Sequence, residues 1–345
     1  MNKKLIAMAV AGACVAPAAM AQTANPVTLY GRIYAMFESV EAKGGTTPVT
    51  RRERVADQSS YLGVRGKEDL GGGLNAIFQL ETGFKPDQND TTFAARNSGV
   101  GLEGAWGSII MGRWDTPMKT TTGAVDVYAD NTIGGFTGVM GDQTNFDRRD
   151  QNVVQYWSPS WAGVAIRLMG QANENRTATT NPRDYGASIT YTRGPLYLVY
   201  AYEEHKDPST TLTKEDGNAL GGTFKIGPVK LGALYNEFKR TTVSGPAPSK
   251  TKSWMGNVVW SIGKNDIMYQ YMTSKDGGAT SAAEPDCKSN SIGWQYNFTK
   301  RTFFLAQYVK VDNNDFASCN FGSNRLTAAK GQDPEGVAIG LRHVF

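Results

Sequence analysis

The last ten residues, Gly336 to Phe345, read GVAIGLRHVF, and apolar side chains occupy every second position up to residue 341. Val337, Ile339 and Leu341 fall on one face of an extended chain, whereas Arg342 falls on the other. A period of two residues predicts a β-strand whose two faces meet different surroundings.

The same alternation recurs from Val27 to the end of the chain, and no window shows a sustained helical period of 3.6 residues. The chain is therefore predicted to be all-β. Aromatic residues cluster near the predicted strand ends, which indicates a girdle at a membrane interface rather than the core of a soluble sandwich. These clusters are Tyr156, Trp157 and Trp161; Trp254 and Trp260; and Tyr269 and Tyr271.

Sixteen strands are predicted, with the tenth over 217–226 and the last over 335–345. Tight links such as Gly227-Pro228 alternate with long polar links such as 275–288 and 311–335. This pattern predicts a closed antiparallel transmembrane β-barrel, because closure leaves no unpaired backbone edge in hydrocarbon. Short turns are typical of the periplasmic rim, so the long loops are expected to face outside.

The first 21 residues have the layout of a secretory signal peptide. Lys3 and Lys4 precede a short apolar run, and Ala19-Met20-Ala21 forms a small-residue cleavage site. Residues 22–345 are expected to form a single barrel domain. Of the chain's 36 Lys and Arg against 32 Asp and Glu, two lie in the signal peptide, so the mature chain has a balance of +2. No nucleic-acid partner and no cofactor are expected.

Cys287 and Cys319 remain after removal of the signal peptide, in a compartment that allows disulfides. A bridge between them would tie the seventh and eighth external loops together. Two free thiols are the alternative. Neither cysteine has the His and Cys neighbours at close spacing that a zinc site needs.

Several motifs, in order along the chain, resemble the trimeric general porins of the Gram-negative porin family. They are Val27-Thr28-Leu29-Tyr30-Gly31; Gly63 to Gly71; Leu74 to Glu81; Met111-Gly112-Arg113; Asn152 with Tyr156-Trp157-Ser158-Pro159; and Gly340 to Phe345. The resemblance implies a homotrimer in the outer membrane, in contact with its lipid, with one pore per subunit for small ions and hydrophilic solutes. It also implies a third external loop folded into the lumen, and a terminal Phe345 that the barrel assembly machinery reads. Tyr61 departs from the family, in which Arg is common at this place in the second strand.

The longest link without alternation, about 114–150, is assigned as the constriction loop, since unstructured loops of this length are usually functional or disordered. Its acids include Asp115, Asp126 and Asp130. The candidate basic wall comprises Arg32, Arg65, Arg96, Arg113, Arg167 and Arg342. Alternation points Arg32, Arg65, Arg167 and Arg342 inward. The assignment of Arg96 and Arg113 to the wall rests on the family's pattern, because alternation alone would place them on the lipid-facing register. A charge on that register is expected at a bulge or at the rim. A weak preference for anions is expected if the arginines outweigh the loop acids at the narrowest plane of the pore.

Two other functions compete with a general porin. A substrate-specific channel would line its lumen with aromatic side chains, whereas most aromatics here fall on the outward register. An outer-membrane enzyme would need a nucleophile beside a base. The chain has only two histidines, His205 at a predicted loop edge and His343 on the outward register, and neither has a serine partner in a motif. A porin without enzymatic activity is therefore the favoured function.

Overall fold

The computed structural model describes residues 27–88, 91–128, 132–140, 146–209, 211–243, 249–277 and 285–345. The predicted signal peptide lies outside these ranges. Within them, eighteen β segments form a single antiparallel sheet. None of the helices in the described ranges is long and apolar enough to cross a bilayer.

Fourteen barrel strands are continuous and two are broken into a pair of segments. Both segments of β2 pair with β1, and both segments of β4 pair with β3, so the described residues form sixteen strands, as predicted. The strands are β1 Val27–Gly44, β2 Val49–Asp57 with Tyr61–Gly71, β3 Leu74–Phe84, β4 Thr91–Thr92 with Ser98–Gly104, β5 Gly107–Asp115, β6 Arg149–Trp157, β7 Val164–Gln171, β8 Arg183–Arg193, β9 Leu196–Lys206, β10 Leu212–Ile226, β11 Val229–Thr242, β12 Ser249–Ile262, β13 Asn265–Gly277, β14 Asp286–Asn297, β15 Thr302–Asn313 and β16 Gln332–Val344.

Pairing of the first strand with the last closes the barrel. β16 runs antiparallel to β1 over thirteen residue pairs, from Arg32 opposite Val344 to Gly44 opposite Gln332. Phe345 extends this seam, because its N–H donates to the carbonyl of Gly31 at 3.0 Å and its own carbonyl accepts from the Gly31 N–H at 3.2 Å. Closure satisfies the backbone groups that an open edge would leave unpaired in lipid.

The predicted alternation of the two faces is confirmed in the middle strands. In β7, Leu168 is 47% exposed on the outer face, whereas its neighbour Met169 is 5% exposed on the inner face. In β12, Trp254 is 57% exposed and Met255 only 3%. The outer surface therefore presents apolar side chains to lipid, as a barrel that crosses a bilayer requires.

Connections differ sharply between the two rims. Tight turns such as those at Gly194, Gly227 and Gly263 join strands at one rim, and each of these glycines has a φ near +60° that a side chain would disfavour. The longest connection at the other rim covers 116–148, slightly less than the predicted 114–150, and is called L3 below. L3 contains helix α1, Pro117–Thr122, and a short 3₁₀ turn, Phe136–Gly138. The last long connection, 314–331, is called L8.

Candidate pore constriction

L3 is hydrogen bonded to inner-face side chains of strands far from its own ends. Asn257 on β12 donates its amide to the carbonyl of Val125 at 2.9 Å. Gln270 on β13 donates to Oδ1 of Asp126 at 2.8 Å. Because L3 connects β5 to β6, these bonds hold it against the inner surface on the other side of the barrel.

A buried apolar core fixes L3 to the same strands. Its members have almost no exposed surface, and several are methionines, whose flexible side chains fill irregular gaps between a loop and a wall. L3 contributes Met118, Val125, Tyr128, Ile133, Phe136, Val139, Met140 and Phe146; the wall contributes Leu234, Phe238, Met255, Met268, Met272, Leu305 and Val309. The burial of these side chains offsets part of the conformational entropy that a long loop loses when it is held in one place.

L8 docks directly onto L3. The Asn320 N–H donates to the Gly138 carbonyl at 3.0 Å, and the Gly322 N–H donates to the Ile133 carbonyl at 3.0 Å. The Thr137 hydroxyl donates to the Gly322 carbonyl at 2.7 Å. The backbones approach so closely that a Cβ on Gly138 would lie 2.2 Å from the Asn320 carbonyl oxygen. The sequence prediction of a purely external link did not anticipate this contact.

A disulfide bridge links Cys287 and Cys319, whose Cα atoms are 6.3 Å apart. The predicted pairing is confirmed. The prediction that it ties the seventh and eighth loops together is wrong, because Cys287 is the second residue of β14 and pairs there with Asn313. The bridge therefore tethers L8 to the barrel wall, where strand pairing fixes the position of one sulfur.

A cavity of about 290 Å³, called the passage below, lies between L3 and the wall formed by the first strands. Its charged lining has four basic and three acidic side chains, and two of the predicted arginines are among them. The basic residues are Arg32, Arg96, Lys119 and Arg149; the acidic residues are Asp115, Asp126 and Asp147. The passage therefore carries a formal excess of one positive charge.

The break in β2 holds Arg32 in the passage. Arg32 Nε donates to the Ser59 carbonyl at 2.9 Å, and Nη2 lies 3.4 Å from the Gln58 carbonyl oxygen. Ser59 has a φ of +60°, so the strand is interrupted here and its carbonyls turn away from the ladder. An irregularity in the sheet thus supplies the acceptors that fix a buried guanidinium.

Tyr61 lies between the two arginines of the wall. The Cζ atom of Arg32 is 5.1 Å from the ring centroid, and that of Arg96 is 4.8 Å from it. Arg96 also forms an ion pair with Glu81. A tyrosine ring attracts cations through its π face, so Tyr61 holds two like charges close together. The departure from the family at this position therefore adds an aromatic spacer between two arginines.

Asn97, in the break of β4, organises the opposite corner of the passage. Its amide donates to Asp115 Oδ2 at 2.9 Å, and its Oδ1 accepts from Arg149 Nε at 2.6 Å. Arg149 Nη2 lies 3.0 Å from Asp115 Oδ1. Lys119 Nζ lies 3.8 Å from Asp115 and 3.5 Å from Asp147. The acids at this corner are therefore paired with bases. Sequence reasoning missed Asn97 and Lys119, since neither belongs to a charge pattern or a recognised motif.

Asp126 is the most buried acid of the passage. It accepts hydrogen bonds from the N–H groups of Tyr128 and Phe136 at 2.9 and 3.0 Å, besides the one from Gln270. Burial raises the pKa of its carboxyl to about 6, although these hydrogen bonds favour the ionised form. The carboxyl changes charge near neutral pH.

Other predicted wall residues lie nearer the tight-turn rim. Arg65 stacks over Tyr30, with Cζ 5.1 Å from the ring centroid. Arg167 stacks over Trp157 at 4.9 Å. Arg342 stacks over the ring of Phe303 at 5.1 Å. All three positions are on the inward register that alternation predicted.

The remaining predicted residues differ in position. Arg113 stands at the bulge between Gly112 and Trp114, as expected for a charge on this register, and donates to the Ala95 carbonyl at 2.8 Å. It is not among the residues that line the passage. Asp130 lies outside the described residues.

A closed antiparallel barrel with an apolar outside and a charged inner passage defines a class of membrane pore proteins. A family model described as "Gram-negative porin" matches residues 7–315. Outer membrane porin protein 32 of Delftia acidovorans is 29% identical over 364 residues, covering 100% of both chains. The solved anion-selective porin from Comamonas acidovorans superimposes with a TM-score of 0.82 and 26% identity, over 93% of this chain and 99% of that one. The trimer form of OmpT from Vibrio cholerae has a TM-score of 0.72 at 16% identity, over 93% and 99%.

The chain belongs to the Gram-negative porin family. It is a multi-pass protein of the bacterial outer membrane, and its barrel forms a porin pore.

Proposed function

We propose that the passage between L3 and the wall is the constriction of a diffusion pore that favours small anions weakly. The observation that carries this proposal is the lining itself, with four bases against three acids. Asp115 and Asp147 are paired with Arg149 and Lys119, and the guanidinium groups of Arg32 and Arg96 both lie at the ring of Tyr61. Glu81 offsets part of the Arg96 charge, so the preference is expected to be small.

The reversal potential of the purified protein in a planar bilayer tests this proposal. In a gradient of KCl, the sign of the potential reports which ion crosses more easily. We expect an anion preference that weakens as salt rises, because the Debye length falls from about 10 Å at 0.1 M to about 3 Å at 1 M. Conductance with a size series of neutral solutes would give the aperture. A cation preference at low salt would contradict the proposal.

Lowering the pH is expected to strengthen the anion preference. The Asp126 carboxyl, with its pKa raised to about 6, is mostly ionised at pH 7.5 and mostly neutral at pH 5. Burial also raises the pKa of Asp147, although Lys119 and Arg149 oppose this shift. Because protonation removes negative charge from the lining, the anion-to-cation permeability ratio should rise as pH falls through 6.

Asp126→Asn supplies the control for this pH dependence. The amide keeps an oxygen that can accept a hydrogen bond from the L3 backbone but carries no charge at either pH. The variant should show the higher anion preference already at pH 7.5, with a smaller change on acidification. An equal pH response in the variant and the unaltered protein would exclude Asp126 as the titrating group.

We further propose that the pore works as a homotrimer with one passage per subunit, made from a precursor whose residues 1–21 are removed. Support comes from the motifs shared with trimeric porins and from the trimer form of a structural neighbour. Phe345 is the proposed signal for the barrel assembly machinery. It completes the seam with β1, so its deletion would also remove two closing hydrogen bonds.

We propose no enzymatic activity, and the surroundings of both histidines support this. His205 is fully buried, with Nε2 2.8 Å from Glu203 Oε1 and its ring stacked on Phe146 at 4.6 Å. His343 lies on the outer face, with Nδ1 2.9 Å from the Thr302 hydroxyl. A base for hydrolysis needs a nucleophile at a site that substrate and water can reach. Assays of the purified protein for lipase and protease activity would test this.

A further inference from the structure

A recess of about 460 Å³ on the inner face of the barrel has a mixed lining, in which several apolar side chains stand beside polar ones. Ile77 on β3, Ile110 and Trp114 on β5 and Trp157 on β6 all contribute to it. Inner faces of porin barrels are normally polar because they contact water. Trp157 was predicted to belong to the interfacial girdle on the outside, so its inward position is a correction.

Two indole rings lie in the wall of this recess, and Trp157 is the more exposed of the two. Trp114 and Trp157 meet edge to face, with centroids 5.3 Å apart and planes at 66°. Two contacts fix the Trp157 ring: its Nε1 donates to Gln155 at 2.9 Å, and the Arg167 guanidinium stacks on the ring face. The rings are therefore fixed before any solute arrives, which lowers the entropic cost of binding.

Positive charge borders the recess on one side. Lys67 is paired with Glu103 at 2.6 Å, whereas the exposed Arg65 guanidinium lies over the Tyr30 ring. A planar guanidinium is the group best suited to bind a carboxylate through two parallel hydrogen bonds. The recess thus combines an aromatic wall with one arginine directed to the lumen.

The recess and the passage occupy different levels of the barrel. Trp157 ends β6 just before a tight turn, and Lys67 lies four residues before the turn at Gly71. Tight turns mark the periplasmic rim. A solute that enters from outside therefore crosses the constriction first and meets the recess afterwards.

We propose that this recess binds aromatic monocarboxylates, with the ring against the two indoles and the carboxylate on Arg65. Aromatic rings gain by packing edge to face or offset on indoles. Sugars gain less from this part of the wall, because the hydroxyls that meet Ile77 and Ile110 would lose water there. Small hydrated anions gain nothing from the apolar wall. The inference rests on the proposed pore, because the solute must reach the recess through the constriction.

Block of single-channel current by matched solutes tests the assignment. Benzoate, cyclohexanecarboxylate and benzyl alcohol have similar size but differ in aromaticity or charge. We expect benzoate to reduce the current at concentrations about three- to tenfold lower than cyclohexanecarboxylate, the range that an aromatic pair contributes. Benzyl alcohol, which lacks the charge, should block the current more weakly than either acid.

Variants assign the effect to the recess. Trp157→Leu should abolish the preference for benzoate, and Trp157→Phe should retain part of it. Arg65→Gln should weaken the block by benzoate and the block by cyclohexanecarboxylate to the same extent. Trp161→Leu is the matched control, because Trp161 lies in the adjoining turn with its side chain exposed and does not line the recess. It should behave as the unaltered protein does. Migration of unheated samples on gels verifies that each barrel is folded.

Two results would overturn the inference. One is equal block by benzoate and cyclohexanecarboxylate in the unaltered protein, and the other is an unchanged preference in Trp157→Leu. Either result, obtained with conducting, anion-preferring channels, leaves the proposed pore intact. A folded protein that forms no channels would contradict the proposed pore as well.

Discussion

Replacing Arg32 and Arg96 together by glutamine is expected to convert the weak anion preference into a cation preference. The double substitution changes the formal charge of the lining from four bases and three acids to two bases and three acids. It also leaves Glu81 without the guanidinium that it pairs with. A unit charge within about 4 Å of an ion is worth about 1 kcal/mol even in water, or roughly fivefold in relative permeability. Reversal potentials at 0.1 M KCl measure the change.

Two controls separate charge from damage to the wall. Arg32→Lys keeps the positive charge but loses the planar guanidinium, so the anion preference should remain near that of the unaltered protein. Arg193→Gln removes one positive charge from an exposed position at a tight turn and should have little effect. If Arg193→Gln shifts the reversal potential as far as the double variant does, the passage is not the selectivity filter.

Removing the tip of L8 is expected to raise the conductance on the order of twofold, because flow depends on the open cross-section. Asn320 closes this tip, since its Nδ2 donates to the Leu326 carbonyl at 2.8 Å and its Oδ1 accepts from the Leu326 N–H at 3.0 Å. Replacing 320–326 by two glycines therefore joins ends that already lie close together. The change removes the fully buried Phe321 and leaves the disulfide in place.

Shortening an external loop elsewhere is the matched control. Residues 177–180 are mostly exposed, and replacing them by two glycines should leave the conductance unchanged. Cys319→Ser keeps the L8 tip but removes its tether, so a noisier current with a smaller rise is expected. An unchanged conductance after excision of 320–326 would show that L8 does not narrow the pore.

Sequence alone was sufficient for the barrel and for its closure, because both depend on local alternation. Every second residue of a lipid-facing strand must be apolar, so β7 and β16 could be assigned from a few residues each. Boundaries were less accurate: β10 begins at Leu212, five residues before the predicted start, because Leu212 pairs with Thr242 on β11 and Lys214 to Asp216 pair with β9.

The constriction was only partly predictable, because its contacts join residues far apart in the chain. Arg32 could be placed inward from its neighbours, but its acceptors come from a break in β2 that no pattern announces. The bond between Thr137 and Gly322 spans 185 residues. Trp157 matched the pattern of an interfacial aromatic, yet its register on β6 turns it inward. Such features depend on tertiary packing, which outweighs local preference.

The docking of L8 onto L3 also bears on the order in which the molecule matures. Gly138 meets Asn320 only when the fifth-to-sixth strand connection and the last connection face each other across one enclosed volume. That volume exists only after β1 has paired with β16. We therefore expect the cylinder to close before its aperture is set, so that a half-assembled barrel would have an opening without a selective constriction.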